Sequence, residues 1–319
     1  MKAKKQNQTK KKMKPWLKAI LIFVAVNLVI ALPLMGVIEV LVLKGKGHKP
    51  SDMDYRGYIS REYGIDMDAY EEKYHMEQIM IPSTKTDGYE IPVFTYETTE
   101  EYRGFVVVSH GMNSNHEMIY PETEAFLKAG FDVVSFDQRK CGLSTATYVS
   151  YGYYEGEDVV DVLTWALSEY PEGRVGLWGQ SMGGAAVENT MDEAVVKENV
   201  DFVVLDCPMG AMDELTGAPA FQNRVASVFN KWMVGYSFDE QSPYAQIRDN
   251  NIPVLLILAG DEKVIPSVSI DQIKQILTDA PGECVVYTKD GAGHADVWLE
   301  DPEEYDKQVK EFTDSLDAK

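Results

Sequence analysis

Cysteine is scarce in this chain, and three thiols in 319 residues do not make a disulfide framework. Cys207 closes one apolar run and Cys284 opens another, so both read as small core residues. Cys141 falls in a turn and is expected to be partly exposed. Histidine is also rare, with His48, His75, His110, His116 and His294 making up the five. No metal-ligand spacing and no glycine-rich phosphate loop occurs, so neither a metal nor a cofactor is expected. Internal repeats are lacking, and low complexity is confined to the lysine-rich start. Beyond residue 44 basic residues are few: 50 of the 51 acids lie there, against 21 of the 30 Lys and Arg. Such a surface repels phosphates, which argues against a nucleic-acid partner and disfavours polyanionic substrates. Otherwise the acid surplus reads as a solvated, solubilising exterior.

Residues 1–18 hold eight lysines and no acid, and residues 19–43 follow as an apolar run with one acid, Glu39. A helix of that length rises about 37 Å, enough to cross a bilayer core with some tilt. A secretory signal has a shorter apolar region, about 7–15 residues, ending at a small-residue cleavage site. No good site of that kind follows Leu43. The expectation is therefore one transmembrane helix acting as an uncleaved signal anchor, with a cleaved signal peptide as the alternative. The lysines stay in the cytoplasm, which leaves the rest of a single-pass cell-membrane protein outside. An exported domain without a cystine pair fits a bacterium that does not rely on disulfides. The expected organisation is a basic tail (1–18), the anchor (19–43), a polar linker (44–75, with a short helix from Asp66 to His75) and a folded domain (76–319).

Within that domain apolar runs alternate with helical periodicity, the pattern of a mostly parallel sheet with helices on both faces. Eight strands are expected, at 76–82, 90–97, 103–109, 132–137, 174–179, 201–206, 253–259 and 283–288. The first two or three connect without helices, so that edge should be antiparallel. Val159, Leu163, Ala166 and Leu167 mark one helix; Ile270, Ile273, Ile276 and Leu277 another; Val309, Phe312 and Leu316 the last. The interval 208–251 is too long for a simple connection. Phe221, Val225, Val228, Phe229, Trp232 and Met233 fall there at helical spacing, as expected of a small cap whose apolar side faces a pocket or packs the cap to the body. The tyrosine-rich turn from Tyr148 to Tyr154 either lines the pocket's other wall or packs the loop.

The stretch richest in chemistry is Gly179-Gln180-Ser181-Met182-Gly183, between the apolar run Val175–Trp178 and a helix-forming segment. A serine between two glycines at a strand-to-helix junction is the nucleophile elbow pattern. The turn forces the serine into a strained backbone region, at roughly 1–3 kcal/mol, and leaves no room for side chains two residues to either side. A serine hydroxyl needs a neighbouring base, and the base needs a carboxylate to hold its tautomer. Asp261, after the apolar run Val254–Ala259, and His294, after the run from Glu283 to Tyr287, supply these types. Glu262 and Asp296 are nearby alternatives to Asp261.

These residues resemble the α/β-hydrolase superfamily over about residues 76–316. Val106-Val107-Val108-Ser109-His110-Gly111-Met112 is similar to its strand-plus-HG segment, and Asp137-Gln138-Arg139-Lys140-Cys141-Gly142-Leu143-Ser144 to its D-x-R-x-x-G-x-S turn. The nearest likeness is to small bacterial serine hydrolases close to the prolyl-oligopeptidase-like branch. The resemblance implies an α/β-hydrolase fold with a helical cap after the sixth strand and the site order Ser181, Asp261, His294. It also implies an oxyanion hole made by the backbone N–H groups of Met112 and Met182. His110 then reads as a structural support of that loop, and Asp137 with Arg139 as a structural turn pair. The implied activity is hydrolysis of a small-molecule carboxylic ester or other acyl substrate. A serine peptidase and an acyltransferase would use the same three groups. A non-catalytic binding module would lack one of them.

Overall fold

A computed structural model describes residues 13–26, 54–86, 88–170 and 172–318. Eight strands form one sheet: β1 Glu77–Pro82, β2 Glu90–Tyr96, β3 Gly104–Ser109, β4 Phe131–Phe136, β5 Arg174–Gln180, β6 Phe202–Asp206, β7 Val254–Ala259 and β8 Cys284–Lys289. Their spatial order is β1-β2-β4-β3-β5-β6-β7-β8. β1 pairs antiparallel with β2 and β2 with β4, and every later pairing is parallel. All eight expected strands are present, and the antiparallel edge is where the helix-free connections put it.

The central strands are buried along almost their whole length, with apolar middles, because both faces are covered. Alternate residues serve opposite sides. Val106, Val108, Trp178 and Val204 pack against α4 (Tyr120–Lys128) and α13 (Pro302–Ser315), where Phe126, Val309 and Phe312 are buried. Phe105, Val107, Leu177 and Val203 face α5 (Tyr153–Glu169) and α11 (Ser267–Asp279), where Val159, Leu163, Ile273 and Leu277 are buried. The apolar stripes of these helices are those the periodicity predicts, with Leu167, Ile270 and Ile276 only partly covered.

Two short helices precede the sheet, α2 (Tyr55–Glu62) and α3 (Met67–Lys73), capped by the carboxylates of Asp54 and Asp66. Tyr55, Ile59, Met67, Tyr70 and Tyr74 are buried, and the Tyr70 ring stacks on Tyr120 at 4.3 Å. Arg56 bridges Glu71 and Glu117 at 2.7 and 2.9 Å. The polar linker expected to run to residue 75 is thus cut short. Tyr55, Tyr70 and Tyr74 are core residues whose hydroxyls find hydrogen-bond partners, which is why the segment looks polar in sequence.

At the amino end, helix α1 (Pro15–Val26) leaves Trp16, Ile20, Leu21, Ile22 and Phe23 exposed. No helix among the described residues is long and apolar enough to cross a membrane. The expected span continues to residue 43, and its part beyond Val26 lies outside the described residues.

The 208–251 interval contains α8 (Met212–Leu215), α9 (Ala220–Met233) and α10 (Phe238–Gln241). The helical stripe is there, but it faces the other way from the expectation. Phe221, Val228, Trp232 and Met233 are exposed, while Asn223 and Asn230 are buried. The asparagines hold the inner face. Asn223 Nδ2 donates to the Asp213 carbonyl at 2.7 Å, and Asn230 Nδ2 donates to the Tyr236 carbonyl at 2.8 Å. Two residues of the tyrosine-rich turn grip this segment, while Tyr151 of the same turn joins the apolar cluster around Met182. Tyr153 stacks on Tyr236 at 4.7 Å, and the Tyr154 hydroxyl donates to the Val234 carbonyl at 2.9 Å.

Candidate active site

Ser181 occupies the junction between β5 and α6 (Met182–Glu188) with φ 53° and ψ −115°. A side chain on Gly179 would strike the Gly183 carbonyl, and one on Gly183 would strike the Ser109 carbonyl on the neighbouring strand. The two glycines are therefore what lets the elbow pack against β3. The strained residue is fixed by its own backbone: its N–H donates to the Asp206 carbonyl at 3.0 Å, and its carbonyl accepts from Met209 and Ala185 at 3.0 and 3.1 Å.

His294 lies in the loop between β8 and α12 (Val297–Glu300). Its Nε2 is 2.8 Å from Ser181 Oγ, and its Nδ1 is 2.6 Å from Glu262 Oε2. The carboxylate partner is Glu262, not Asp261. Asp261 turns outward, 56 % exposed, to Lys263 Nζ at 2.6 Å, whereas the Glu262 side chain is 7 % exposed. The preference is set by the turn after β7, in which the amides of Val264 and Ile265 donate to Glu262 Oε1 at 2.7 and 3.0 Å. Asp261 contributes through its backbone, its N–H donating to the Ala292 carbonyl at 2.9 Å and tying the two loops together. Burial pushes the Glu262 carboxyl up, but the hydrogen bonds from His294 and from these amides outweigh it and hold the group below the usual carboxylate range. An ionised carboxylate on Nδ1 leaves Nε2 to accept a proton from Ser181.

Met182 begins α6, where helix-start amides lack intrahelical acceptors. Met112 follows Gly111, and that glycine passes so close to the elbow that a Cβ on it would lie 3.5 Å from Ser181 Cβ. His110 supports this loop. Its Nε2 accepts from the Gln138 amide at 2.9 Å, and its Nδ1 lies 2.7 Å from the Gly111 carbonyl. Burial lowers its pKa to about 4, so it is neutral at pH 7 and fits both bonds. Asp137 and Arg139 do not pair with each other. Asp137 accepts from the His116 and Leu143 amides at 3.0 and 2.6 Å. Arg139 makes a buried two-bond pair with Asp158, both bonds 2.8 Å.

Cys207 Sγ, a Glu262 oxygen and a His294 nitrogen lie within 4.8 Å of one another. Burial pushes the Cys207 thiol well up, and the other two groups already bond to each other, with His294 also on Ser181. Cys141, expected to be partly exposed, is fully buried. Its turn wraps around the Asp137 carboxylate instead of opening to solvent.

Beneath the elbow lies a polar layer that no sequence motif marks. Trp178 Nε1 donates to the Tyr305 hydroxyl at 3.1 Å, which donates to Asp206 Oδ2 at 3.0 Å. Gln180 Nε2 reaches Glu122 Oε1 at 3.4 Å. Burial, reinforced by Asp206, pushes Glu122 up to about 8. The folded state then holds a proton that the unfolded chain releases near pH 4.5, so stability falls as pH rises from about 4.5 to about 8. Glu122→Gln is expected to remove that part of the decline and to stabilise the protein above neutrality, by an amount on the order of a few kcal/mol. Urea unfolding of both proteins across that range checks it. A wild-type midpoint that rises between pH 5 and 8 would count against a protonated Glu122.

A Bacillus subtilis protein, the uncharacterised YqkD, is 27 % identical over 270 residues, covering 81 % of this chain and 86 % of that one. The Pyrococcus furiosus esterase Pf2001 superposes with a TM-score of 0.60 at 20 % identity, over 76 % of this chain and 93 % of the other. Est1E of Butyrivibrio proteoclasticus, solved with ferulic acid, gives 0.58 at 16 % identity over 76 % of this chain and all of the other. At these identities the two structures attest the fold. Residues 100–281, more than half of the chain and including both Ser181 and Glu262, match the family described as serine aminopeptidase, S33, and the chain belongs to this family of α/β-hydrolases.

Proposed function

We propose that this hydrolase cleaves small carboxylic esters through an acyl-enzyme on Ser181. The observation that carries the reading is the unbroken hydrogen-bonded line from Glu262 through His294 to Ser181. In the reaction Ser181 Oγ attacks the acyl carbon while His294 Nε2 takes its proton, and Glu262 stabilises the imidazolium that forms. The Met112 and Met182 amides receive the oxyanion. His294 then protonates the departing alcohol, and water repeats the sequence to free the acid. Met112, Tyr151, Met182, Met209, Leu215 and Ile265 form one apolar cluster around the elbow, suited to an acyl group.

The family's description names aminopeptidase chemistry, while esterases and a dipeptidyl peptidase both share the fold. A series of p-nitrophenyl esters of rising chain length, run beside aminoacyl p-nitroanilides, decides between them. Ester turnover with the anilides left intact is the expected result. Preferential cleavage of the anilides would replace the reading with an aminopeptidase, and acyl transfer to an added alcohol in place of hydrolysis would make the protein a transferase.

We further propose that residues 19–43 anchor the chain in the cell membrane, the lysine-rich tail inside and the hydrolase outside. The length and apolarity of that run and the lysines before it support this. Protease added to intact cells should then degrade the hydrolase domain; a protected domain would reverse the topology.

A further inference from the structure

The cap helix α9 is inside out for a water-soluble domain. Phe221, Val225, Val228 and Trp232 follow one another at spacings of four, three and four residues, which stacks them on a single face. Phe221 is 67 %, Val228 65 % and Trp232 79 % exposed. The buried positions are asparagines with carbonyl and hydroxyl partners, so the helix is held in this orientation by bonds that turning it over would break. We propose that this face lies on a lipid bilayer, with the apolar side chains in the headgroup region and the active site held over the membrane surface.

Three further observations choose the bilayer as occupant. The first is charge. In a chain with 51 acids, no Asp or Glu occurs from Thr216 to Phe238, and the charged residues of that stretch are Arg224 and Lys231, the latter bonded to Glu240. Asp213 and Asp239 border the groove beside Val228 and Trp232, but the helix itself carries only basic charge on its apolar face, which suits an anionic lipid surface better than the rest of the acidic domain does.

The second is reach. Residues 44–54 separate the apolar run from α2 and span at most about 40 Å when fully extended. This step rests on the anchor proposed above. The third is direction. α2 docks on the loop after β3: the Tyr55 hydroxyl donates to the Asn113 carbonyl at 3.3 Å, and Arg56 bonds Glu117 at 2.9 Å. The cap follows β6. β3, β5 and β6 are parallel, so both loops lie at the carboxyl edge of the sheet. The chain comes up from its anchor on the same edge that bears α9.

The test uses the full chain reconstituted in vesicles of phosphatidylcholine with a minority of phosphatidylglycerol. An environment-sensitive NBD label is placed at Val228→Cys in a Cys284→Ser background, with the exposed Glu198→Cys as control, on α7 (Ala194–Asn199), which leads into the amino end of β6. Fluorophosphonate labelling of Ser181 verifies that each variant is folded. The expected result is a blue-shifted Val228→Cys label quenched by nitroxide-bearing lipid, an unshifted Glu198→Cys label, and loss of the quenching when Phe221→Ala and Trp232→Ala are added. A vesicle-bound chain whose Val228→Cys label stays unquenched overturns the docking and leaves the anchor standing. A shift that grows with protein density and resists the lipid quencher overturns it in favour of a second copy on that face. A chain that does not float with the vesicles refutes the anchor and the docking together.

Discussion

Ser181→Ala is expected to lower kcat on short p-nitrophenyl esters by about a million-fold and to abolish labelling by a fluorophosphonate. Removing the attacking oxygen leaves only the oxyanion amides and substrate binding, and losses of that order are what the nucleophile of a comparable triad accounts for. The fold should survive. Ser181 is only partly buried, its strained backbone is held by bonds from Asp206 and Met209, and alanine keeps the Cβ. Labelling that persists in the alanine variant at the wild-type rate would remove Ser181 from the reaction and with it the hydrolase reading.

The second large effect separates two neighbouring acids. Glu262→Gln replaces the ionised partner of His294 Nδ1 with a neutral amide. That amide can offer a donor where the imidazole needs an acceptor, which favours the wrong tautomer. A loss in kcat of about ten-thousand-fold is expected, with KM little changed. Asp261→Asn severs only an exposed pair with Lys263, worth about 0–1 kcal/mol, and should leave kcat nearly as it was. Steady-state kinetics on both variants, with labelling of Ser181 as a check of folding, reads the contrast. Equal losses in the two, or a larger one in Asp261→Asn, would mean that the loop rearranges when substrate binds.

That contrast also shows where sequence reading stops. The strands were legible because β3, β5, β6 and β7 have apolar middles with polar residues only at their ends, and the elbow because two glycines have a steric task there. Choosing between residues 261 and 262 needs the path of the turn after β7. A one-residue step reverses which side chain points inward, and the longer arm of glutamate is what meets both the Val264 and Ile265 amides and the imidazole. Helical periodicity in α9 was visible, but its direction was not. Periodicity locates an apolar face without saying what covers it, and Asn223 and Asn230 look like surface residues until their partners are placed. Glu122 and Asp206 escaped notice for a related reason. A carboxyl near a helix start or at a strand end is ordinary in sequence, and only the packing of Gln180 and Tyr305 shows that both lie beneath the nucleophile.

The burial of two thiols gives the molecule built-in reporters. Cys141 is sealed in its turn and Cys207 behind the elbow, while Cys284 is partly open on the edge strand. A colourless disulfide reagent would therefore modify Cys284 at a rate set by chemistry. It would reach the other two only as fast as their surroundings breathe. Timing those slow reactions with and without an acylating inhibitor would show whether occupying the serine quiets the scaffold around it.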